Sequence, residues 1–340
     1  MSAQAGLERG GSLRFLVPGW FSPVMGLSGL SLAWLAAAPV LGTGAIGVAL
    51  VLGSLAGLLF ALLALASLWR WQRHPEALAD DLKHPVRHAF VATVPVSLLL
   101  LASVGLSLGL STAIVRPLWW AGSLLQLWVT LWVLSRWLAP VSGPAGSAWP
   151  AVTPALFIAV VGNVVPPLAG VALGHASWSA AQFGIGVLFW PLVLGLVLVR
   201  RFAHGPLPER LLPLWFIAVA PPSVIGLSLL AFGAPMALVL GCWGVAAFMA
   251  VWVGTQARRM VTQAFGLPFW ALSFPLAALS SLTLQLGQQA TLAGWAQAGV
   301  LMLAVTSLVV VGLVLATVRG LRQGTLLVPE PVATLSVATP

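Results

Sequence analysis

Long runs of apolar residues alternate along the chain with short polar loops, and the charged residues lie almost entirely in those loops. Ten runs reach the roughly 20 apolar residues that a helix needs to cross a lipid bilayer. Polar residues do not alternate with apolar ones inside the runs, as they would in the strands of a membrane β-barrel. The pattern therefore predicts an all-α polytopic membrane protein with ten transmembrane helices, at Trp20–Ala38, Ile46–Trp69, Ala89–Leu110, Leu118–Leu138, Val152–Leu173, Ala180–Val199, Leu211–Phe232, Met236–Gln256, Phe269–Gln288 and Trp295–Val318.

The loops that follow the odd-numbered spans are short, so each odd span turns directly into the next even span. This arrangement predicts five helical hairpins. In the fifth odd span Phe274 directly precedes Pro275, and Phe269 lies five residues before Phe274. The other four odd spans each place a phenylalanine five residues before a helix-breaking Gly or Pro: Phe21 before Gly26, Phe90 before Pro95, Phe157 before Gly162 and Phe216 before Pro221.

The odd spans are also rich in Gly, Pro, Ser and Thr, whereas the even spans are more uniformly apolar. Backbone groups freed by helix breaks at membrane depth are tolerated where they are packed in protein or line a wet cavity. We interpret the odd spans as an inner ring of kinked helices around a central path; close helix packing through Gly is the alternative for any single position. The predicted pore-lining residues are Phe21, Phe90, Phe157, Phe216, Ser22, Thr93, Thr153, Asn163, Ser223 and Ser273, and the predicted kinks are Pro23, Pro95, Pro154, Pro166, Pro221 and Pro275.

Composition narrows the class further. Charged residues make up 6% of the 340 residues and hydrophobic residues 60%, whereas soluble domains carry about 25% charged residues. A soluble enzyme and a disordered chain are therefore excluded. The first span could be read as a signal peptide ending at Ala36–Ala38, but Pro39 disfavours cleavage there, so we expect the span to be retained.

The basic residues are distributed unequally between the two sides of the membrane. They cluster in the terminal segments and the even-numbered loops, and Arg116 alone lies in a loop on the other side. The positive-inside rule then places both termini in the cytoplasm. We expect a cytoplasmic segment over residues 1–18, a transmembrane channel domain over 19–320 and a disordered cytoplasmic tail over 321–340. Arg87 and His88 are predicted to lie at the cytoplasmic mouth.

The residue types that support catalysis or metal binding are scarce. The chain has one cysteine, Cys242, and no Asp, Glu, Lys or Arg in the interior of a predicted span; Arg136 lies near the end of its span. An intramembrane metalloenzyme or protease is therefore not expected, and neither a metal nor another cofactor is predicted. Arginines spread over short loops meet anionic lipid headgroups rather than nucleic acid. They favour anions at the mouth, while carbonyls freed by proline kinks would attract cations.

The odd spans resemble the tellurite-resistance/dicarboxylate transporter family. That family includes bacterial tellurite-resistance proteins, fungal malate permeases and plant guard-cell slow anion channels. Five segments in order cover about residues 15–320 and carry the resemblance: WFSPVMGLSGLSLAW at Trp20–Trp34, KHPVRHAFVATVPVS at Lys83–Ser97, TPALFIAVVGNVVPPLAGVALG at Thr153–Gly174, LPLWFIAVAPPS at Leu212–Ser223 and FWALSFPLAAL at Phe269–Leu279.

The resemblance implies five hairpins in a quasi-five-fold arrangement around a central pore, commonly in trimers. It also implies anion conduction past a phenylalanine on the ninth helix. By position this gate is Phe274, with Phe269 as the alternative, and ordinary helix packing is the competing role for Phe274. Plant members carry long regulatory termini, and the short flanking segments here do not predict that control.

The leading interpretation is a passive anion-selective channel or uniporter in the bacterial cytoplasmic (inner) membrane. It would conduct small anions such as nitrate and chloride. The alternatives are a C4-dicarboxylate carrier, an exporter of tellurite or another toxic oxyanion, and a scaffold bundle without transport. The expected partners are small inorganic or organic anions, membrane lipid and further copies of the chain in a homotrimer.

Overall fold

The computed structural model describes residues 12–138, 149–288 and 294–328, and these form helices joined by turns and loops. Residues 1–11 of the predicted N-terminal segment and 329–340 of the predicted tail lie outside the described residues. The α-helices are α1 Ser22–Leu41, α2 Thr43–Arg73, α3 Pro75–Lys83, α4 Thr93–Ser107, α5 Thr112–Leu138, α6 Pro167–Gly170, α7 Ala176–Ala203, α8 Ala220–Ala231, α9 Met236–Gly254, α10 Ala257–Val261, α11 Ser273–Gly287 and α12 Trp295–Arg322.

Within the described ranges, nine helices are long and apolar enough to cross a bilayer. They fall on nine of the ten predicted spans. The predicted all-helical, polytopic membrane fold is thereby confirmed. The fifth predicted span differs, because its apolar helical stretch is shorter and runs over Phe157–Gly170.

The odd and even spans occupy different layers. In the four long odd spans, 56% to 78% of the apolar membrane-length stretch is buried inside the protein. In the even spans the buried share of that stretch is 22% to 39%. Contacts among the odd elements close a ring in which α1 packs on α4 and α11, α11 packs on α8, and the fifth span fills the gap between α4 and α8. Each odd element also packs on the even helix that follows it. The even helices turn apolar side chains outward, as a lipid-facing layer requires.

Each odd span changes its hydrogen-bond pattern partway along. A 3-10 segment precedes the α-helix in four of them, and the first turn of that α-helix contains a proline. A proline there sacrifices no intrahelical hydrogen bond, because the first backbone N–H groups of an α-helix have no partner inside it. The 3-10 segments are Pro18–Phe21, Arg87–Ala92, Glu209–Val219 and Leu267–Leu272.

The fifth odd span is broken rather than helical throughout. A π-helical turn at Phe157–Val161 leads into a 3-10 turn at Gly162–Val164 and then into the single turn of α6. Pro166 and Pro167 lack backbone N–H groups, so a regular α-helix cannot continue through them. The sequence predicts a span over Val152–Leu173 with kinks at Pro154 and Pro166, and the structure divides this stretch into shorter helical turns.

The two ends of the described chain lie side by side. The Ser12 N–H donates to the Leu327 carbonyl over 3.2 Å. Leu16 and Leu326 are buried in the same apolar cluster. Ends that meet on one face require an even number of membrane crossings.

Candidate functional site

Three cavities lie in series through the ring of odd spans. The first, of about 60 Å³, is lined by His84, Arg87 and Arg210 and is called here the basic mouth. The second, also of about 60 Å³, is the central chamber, and it shares Phe90, Leu267 and Pro268 with the basic mouth. The third is the wide vestibule, of about 630 Å³. Because neighbouring cavities share lining residues, the three cavities form one row, which is called here the path.

The central chamber is almost entirely apolar. Among the described residues that line it, Ser22 supplies a hydroxyl, and the indole N–H of Trp270 is donated to Thr317. The remaining lining side chains are aliphatic or aromatic, including Phe90 and Phe157. A chamber of this kind holds no charged group that would trap an ion.

Phe274 separates the chamber from the vestibule. Its ring is 8% exposed, and it lines both cavities together with Val224. Gly29 of α1 leaves the space that the ring occupies, because a Cβ added there would lie 2.8 Å from Cδ2 of Phe274. Gly26 likewise leaves space for Ser273, because a Cβ added at Gly26 would clash with the Ser273 Oγ. Two glycines of α1 thus let α11 approach closely enough for Phe274 to lie between the chamber and the vestibule.

Among the described residues that line the wide vestibule, several are polar and none is charged. Its hydroxyl and amide groups come from α4 and α11 and the residue after α11, and apolar side chains line the rest. The Gln288 side-chain amide donates to the Ala36 carbonyl over 3.0 Å, which fixes it at the rim. The polar lining residues are Ser103, Ser107, Ser281, Gln285 and Gln288.

At the basic mouth, His84 holds the turn that leads to Arg87. Its Nδ1 accepts the backbone N–H groups of Val86 over 3.1 Å and of Arg87 over 3.2 Å. Burial lowers the pKa of His84 to about 4, and the positive charges of Arg87, His88 and Arg210 act in the same direction. The imidazole is therefore neutral at physiological pH, and the two arginines carry the positive charge of this cavity.

The substitution His84→Asn is expected to flatten the acid dependence of stability. The unfolded imidazole takes up a proton near its ordinary pKa of 6.5, whereas the folded one resists protonation down to about 4. Stability present above about pH 6.5 is therefore lost as the pH falls toward about 4. The asparagine amide oxygen can still accept the two N–H groups, and it does not titrate. Thermal unfolding in detergent at about pH 7 and about pH 5 measures the effect; an equal loss of melting temperature in both proteins would contradict it.

Several predicted pore-lining residues lie in the chamber and others lie outside it. Ser22, Phe90 and Phe157 line the chamber together with Phe274, and so do Pro221 and Pro275, which were predicted as kinks. The remaining predicted phenylalanines pack elsewhere: Phe21 against Phe60 at a ring distance of 5.3 Å, Phe216 in a cluster with Met249 and Val253, and Phe269 beside Phe265 at 5.6 Å.

The predicted hydroxyl residues mostly satisfy backbone carbonyls. Thr93 Oγ1 donates to the carbonyls of Pro18 and Phe90 at 2.8 and 2.7 Å. Ser223 donates to Val219 and Ser273 to Trp270 within their own spans. Thr153 is buried and lines none of the three cavities. Thr93, Ser223 and Ser273 thus bond to carbonyls at the junctions of the odd spans rather than offering donors to the path.

Asn163 belongs to a buried polar network behind the chamber. Its amide donates to Thr130 Oγ1 over 2.7 Å and to the Val160 carbonyl over 2.8 Å. Its Oδ1 accepts from Gln182 over 2.9 Å. Gln126 donates to the carbonyls of residues 158 and 159. The network therefore satisfies the backbone groups that the broken fifth span leaves free.

The predicted kink residues mark junctions between helical segments. Pro23, Pro95, Pro221 and Pro275 lie in the first turns of α1, α4, α8 and α11. Pro154 lies in a turn before the π-helical segment, and Pro166 precedes α6. The Pro166 carbonyl accepts the indole N–H of Trp119 over 2.9 Å. The change of backbone geometry thus comes before most of these prolines.

At the mouth, Arg87 lines the cavity, whereas His88 does not. His88 is buried, its ring lies 6.1 Å from that of Trp132, and its Nδ1 is 3.0 Å from the His84 carbonyl. Sequence reasoning missed His84, Arg210 and Val224 as lining residues. It expected the loop arginines to favour anions at the mouth but singled out Arg87 and His88 there, and Val224 carries no chemical signal.

The fold defines a multi-pass membrane protein with a row of cavities inside its ring of odd spans. Residues 16–318 match the SLAC1 family, described as voltage-dependent anion channel. The chain belongs to this family, whose members are anion channels and transporters rather than enzymes.

Individual relatives are distant and come from plants, archaea and bacteria. The S-type anion channel SLAH2 of Arabidopsis thaliana is 25% identical over 64% of this chain, and the alignment spans 41% of the plant protein. The uncharacterized transporter MJ0576 of Methanocaldococcus jannaschii is 25% identical over 78% of this chain and 82% of its own length. The tellurite resistance protein TehA homolog of Haemophilus influenzae is 25% identical over 78% of this chain and 80% of its own length. The resemblance stated from the sequence is thereby confirmed.

Proposed function

We propose that the protein is a passive, anion-selective channel for small inorganic anions, occluded by Phe274. The observation that carries the proposal is the path itself: a small apolar chamber that Phe274 separates from a wide, uncharged vestibule. Hydrophobic constrictions gate by dewetting, and an ion must bind weakly enough to leave. Removing the Phe274 ring would join the chamber to the vestibule.

The charge of the mouth supports anions over cations. Arg87 and Arg210 line the entry, and the neutral His84 adds no charge to them. Positive groups at a narrow entry raise the local concentration of anions and repel cations. Carbonyls at the proline-rich junctions do not offset this preference for anions by attracting cations. Thr93, Ser223 and Ser273 already donate hydrogen bonds to nearby carbonyls there.

A carrier for C4-dicarboxylates or an oxyanion exporter fits the chamber less well. A dicarboxylate would need basic partners at the constriction, and the described lining of the chamber holds no charged side chain. Coupled carriers also keep ionisable groups at membrane depth to bind the coupling ion. Counterflow of a labelled dicarboxylate in proteoliposomes would favour the carrier.

We further propose that the broken fifth span completes a tenth crossing. The protein would then lie in the bacterial inner membrane with its arginine-rich face, and with it both termini, toward the cytoplasm. The exposed apolar faces of the even helices suit lipid and the two other copies of a homotrimer. Accessibility of single cysteines placed in the loops, in a Cys242→Ala background, tests the orientation. Cross-linking tests the trimer.

The test of the channel is the order of permeability among anions. An uncharged, weakly binding passage favours anions that lose water easily, so nitrate is expected to permeate better than chloride. Bi-ionic reversal potentials in planar bilayers, with nitrate on one side and chloride on the other, measure the ratio. A ratio that favours chloride would count against the uncharged-path mechanism, and saturable uptake with counterflow would count against a channel.

A further inference from the structure

A buried cluster of charges lies directly behind the basic mouth. Asp81 of α3 is 1% exposed, and each of its carboxylate oxygens meets a different arginine. Oδ2 lies 2.7 Å from Nη2 of Arg70, and Oδ1 lies 2.8 Å from Nη1 of Arg87. The path described above uses Arg87 but gives no role to Asp81 or Arg70.

The two arginines of the cluster differ in their surroundings. Arg70 is 4% exposed, and its Nε donates to the Arg14 carbonyl over 3.0 Å, so it is enclosed by protein. Arg87 is 30% exposed and lines the mouth. Only Arg87 therefore faces both the buried carboxylate and the entering anion.

In this geometry the Asp81 carboxylate occupies a place beside Arg87 that a bound anion would otherwise take. A carboxylate 2.8 Å from a guanidinium cancels much of its field at longer distance. An entering anion then meets an Arg87 that is already partly neutralised. It binds more weakly than at a lone arginine and leaves more readily.

We propose that Asp81 is the counter-ion that sets how strongly the mouth binds anions, and that it acts through Arg87. The proposal rests on the proposed anion channel. Asp81 is thus a positioning residue, since it does not line the path itself. Freeing Arg87 should strengthen anion binding at the mouth.

The experiment measures current against anion concentration in the Phe274→Ala background, where current is expected to be large. Asp81→Asn should lower the half-saturating chloride concentration about twofold at low salt, and the shift should fade near 1 M salt as screening grows. Arg70→Met with Asp81→Leu should give the same shift. That pair leaves the net charge unchanged and buries no unpaired ion, so it is expected to fold even where Asp81→Asn does not.

Two controls separate an action on Arg87 from a general change of charge. Glu76→Gln removes a negative charge from the same helix at a side chain that is 55% exposed, and it should leave the half-saturating concentration unchanged. Asp81→Asn in an Arg87→Gln background should have little effect. The proposal would be overturned if Asp81→Asn shifted the half-saturating concentration equally with and without Arg87. It would also be overturned if neither Asp81→Asn nor the Arg70→Met, Asp81→Leu pair shifted it. Absence of any anion current in the background protein would instead refute the proposed channel.

Discussion

Phe274→Ala is expected to raise anion current about tenfold or more, because a barrier lowered by about 1.4 kcal/mol already multiplies a rate by ten. The ring is the shared wall of the chamber and the vestibule, and Val224 is the other residue that lines both. Removing it replaces a dry constriction with a continuous passage that water can enter. Phe274→Leu should give an intermediate current, since it leaves part of the apolar volume in place.

Voltage-clamp recording of the purified protein in planar bilayers measures this effect. Phe269→Ala is the matched comparison, because it removes the same ring from the same span at a position outside the three cavities. A large current in Phe269→Ala together with none in Phe274→Ala would transfer the gate to Phe269. No gain in either variant, at normal folding and expression, would refute an aromatic gate.

The inner layer of odd spans and the outer layer of even spans were predictable from composition, because lipid tolerates only certain residues. Lipid does not satisfy free backbone groups, so the spans that carry Gly, Pro, Ser and Thr must lie inside. The described structure buries those spans and exposes the even ones. The repeat left Phe269 and Phe274 open in the fifth odd span, and the family resemblance of the segment Phe269–Leu279 is what favoured Phe274.

The spacing of the other repeated phenylalanines did not predict which way their side chains point. Phe21 ends its 3-10 segment, whereas Phe90 and Phe216 lie two and three residues before the ends of theirs. Each residue that has 3-10 instead of α geometry changes the direction of the side chains about the helix axis by about 20°. Equal spacing to a helix breaker therefore gives different directions. Phe90 lines the chamber, and Phe21 and Phe216 face neighbouring helices.

Kinks at Pro154 and Pro166 were predicted in the fifth span, but its division into π, 3-10 and α turns was not. Apolar composition predicts that a segment lies in the membrane, but it does not specify which hydrogen bonds the backbone makes there. The available signal lay in the even spans, where Gln126 and Gln182 stand among apolar residues. A buried side-chain amide needs partners, and a broken helix supplies carbonyls to it.

Asn163→Ala is expected to destabilise the protein by about 2–3 kcal/mol, since Asn163 makes three hydrogen bonds worth up to about 1 kcal/mol each. It would remove one hydrogen-bond partner each from Gln182 and Thr130 in a fully buried site, while their bonds to Ser123 and to backbone carbonyls stay in place. Ser223→Ala is the control, because that buried hydroxyl bonds only to a carbonyl of its own span and should cost little.

The same variant distinguishes two roles for Asn163. A pore-lining amide would contact the permeating anion, so its removal would change the nitrate-to-chloride permeability ratio and leave the melting temperature nearly unchanged. The network predicts the reverse: a lower melting temperature in detergent, and an unchanged ratio in whatever protein folds. Because Asn163 bonds to α5 and α7 and lines none of the three cavities, the structural role is the expected one. A shifted ratio at normal stability would place Asn163 in the path.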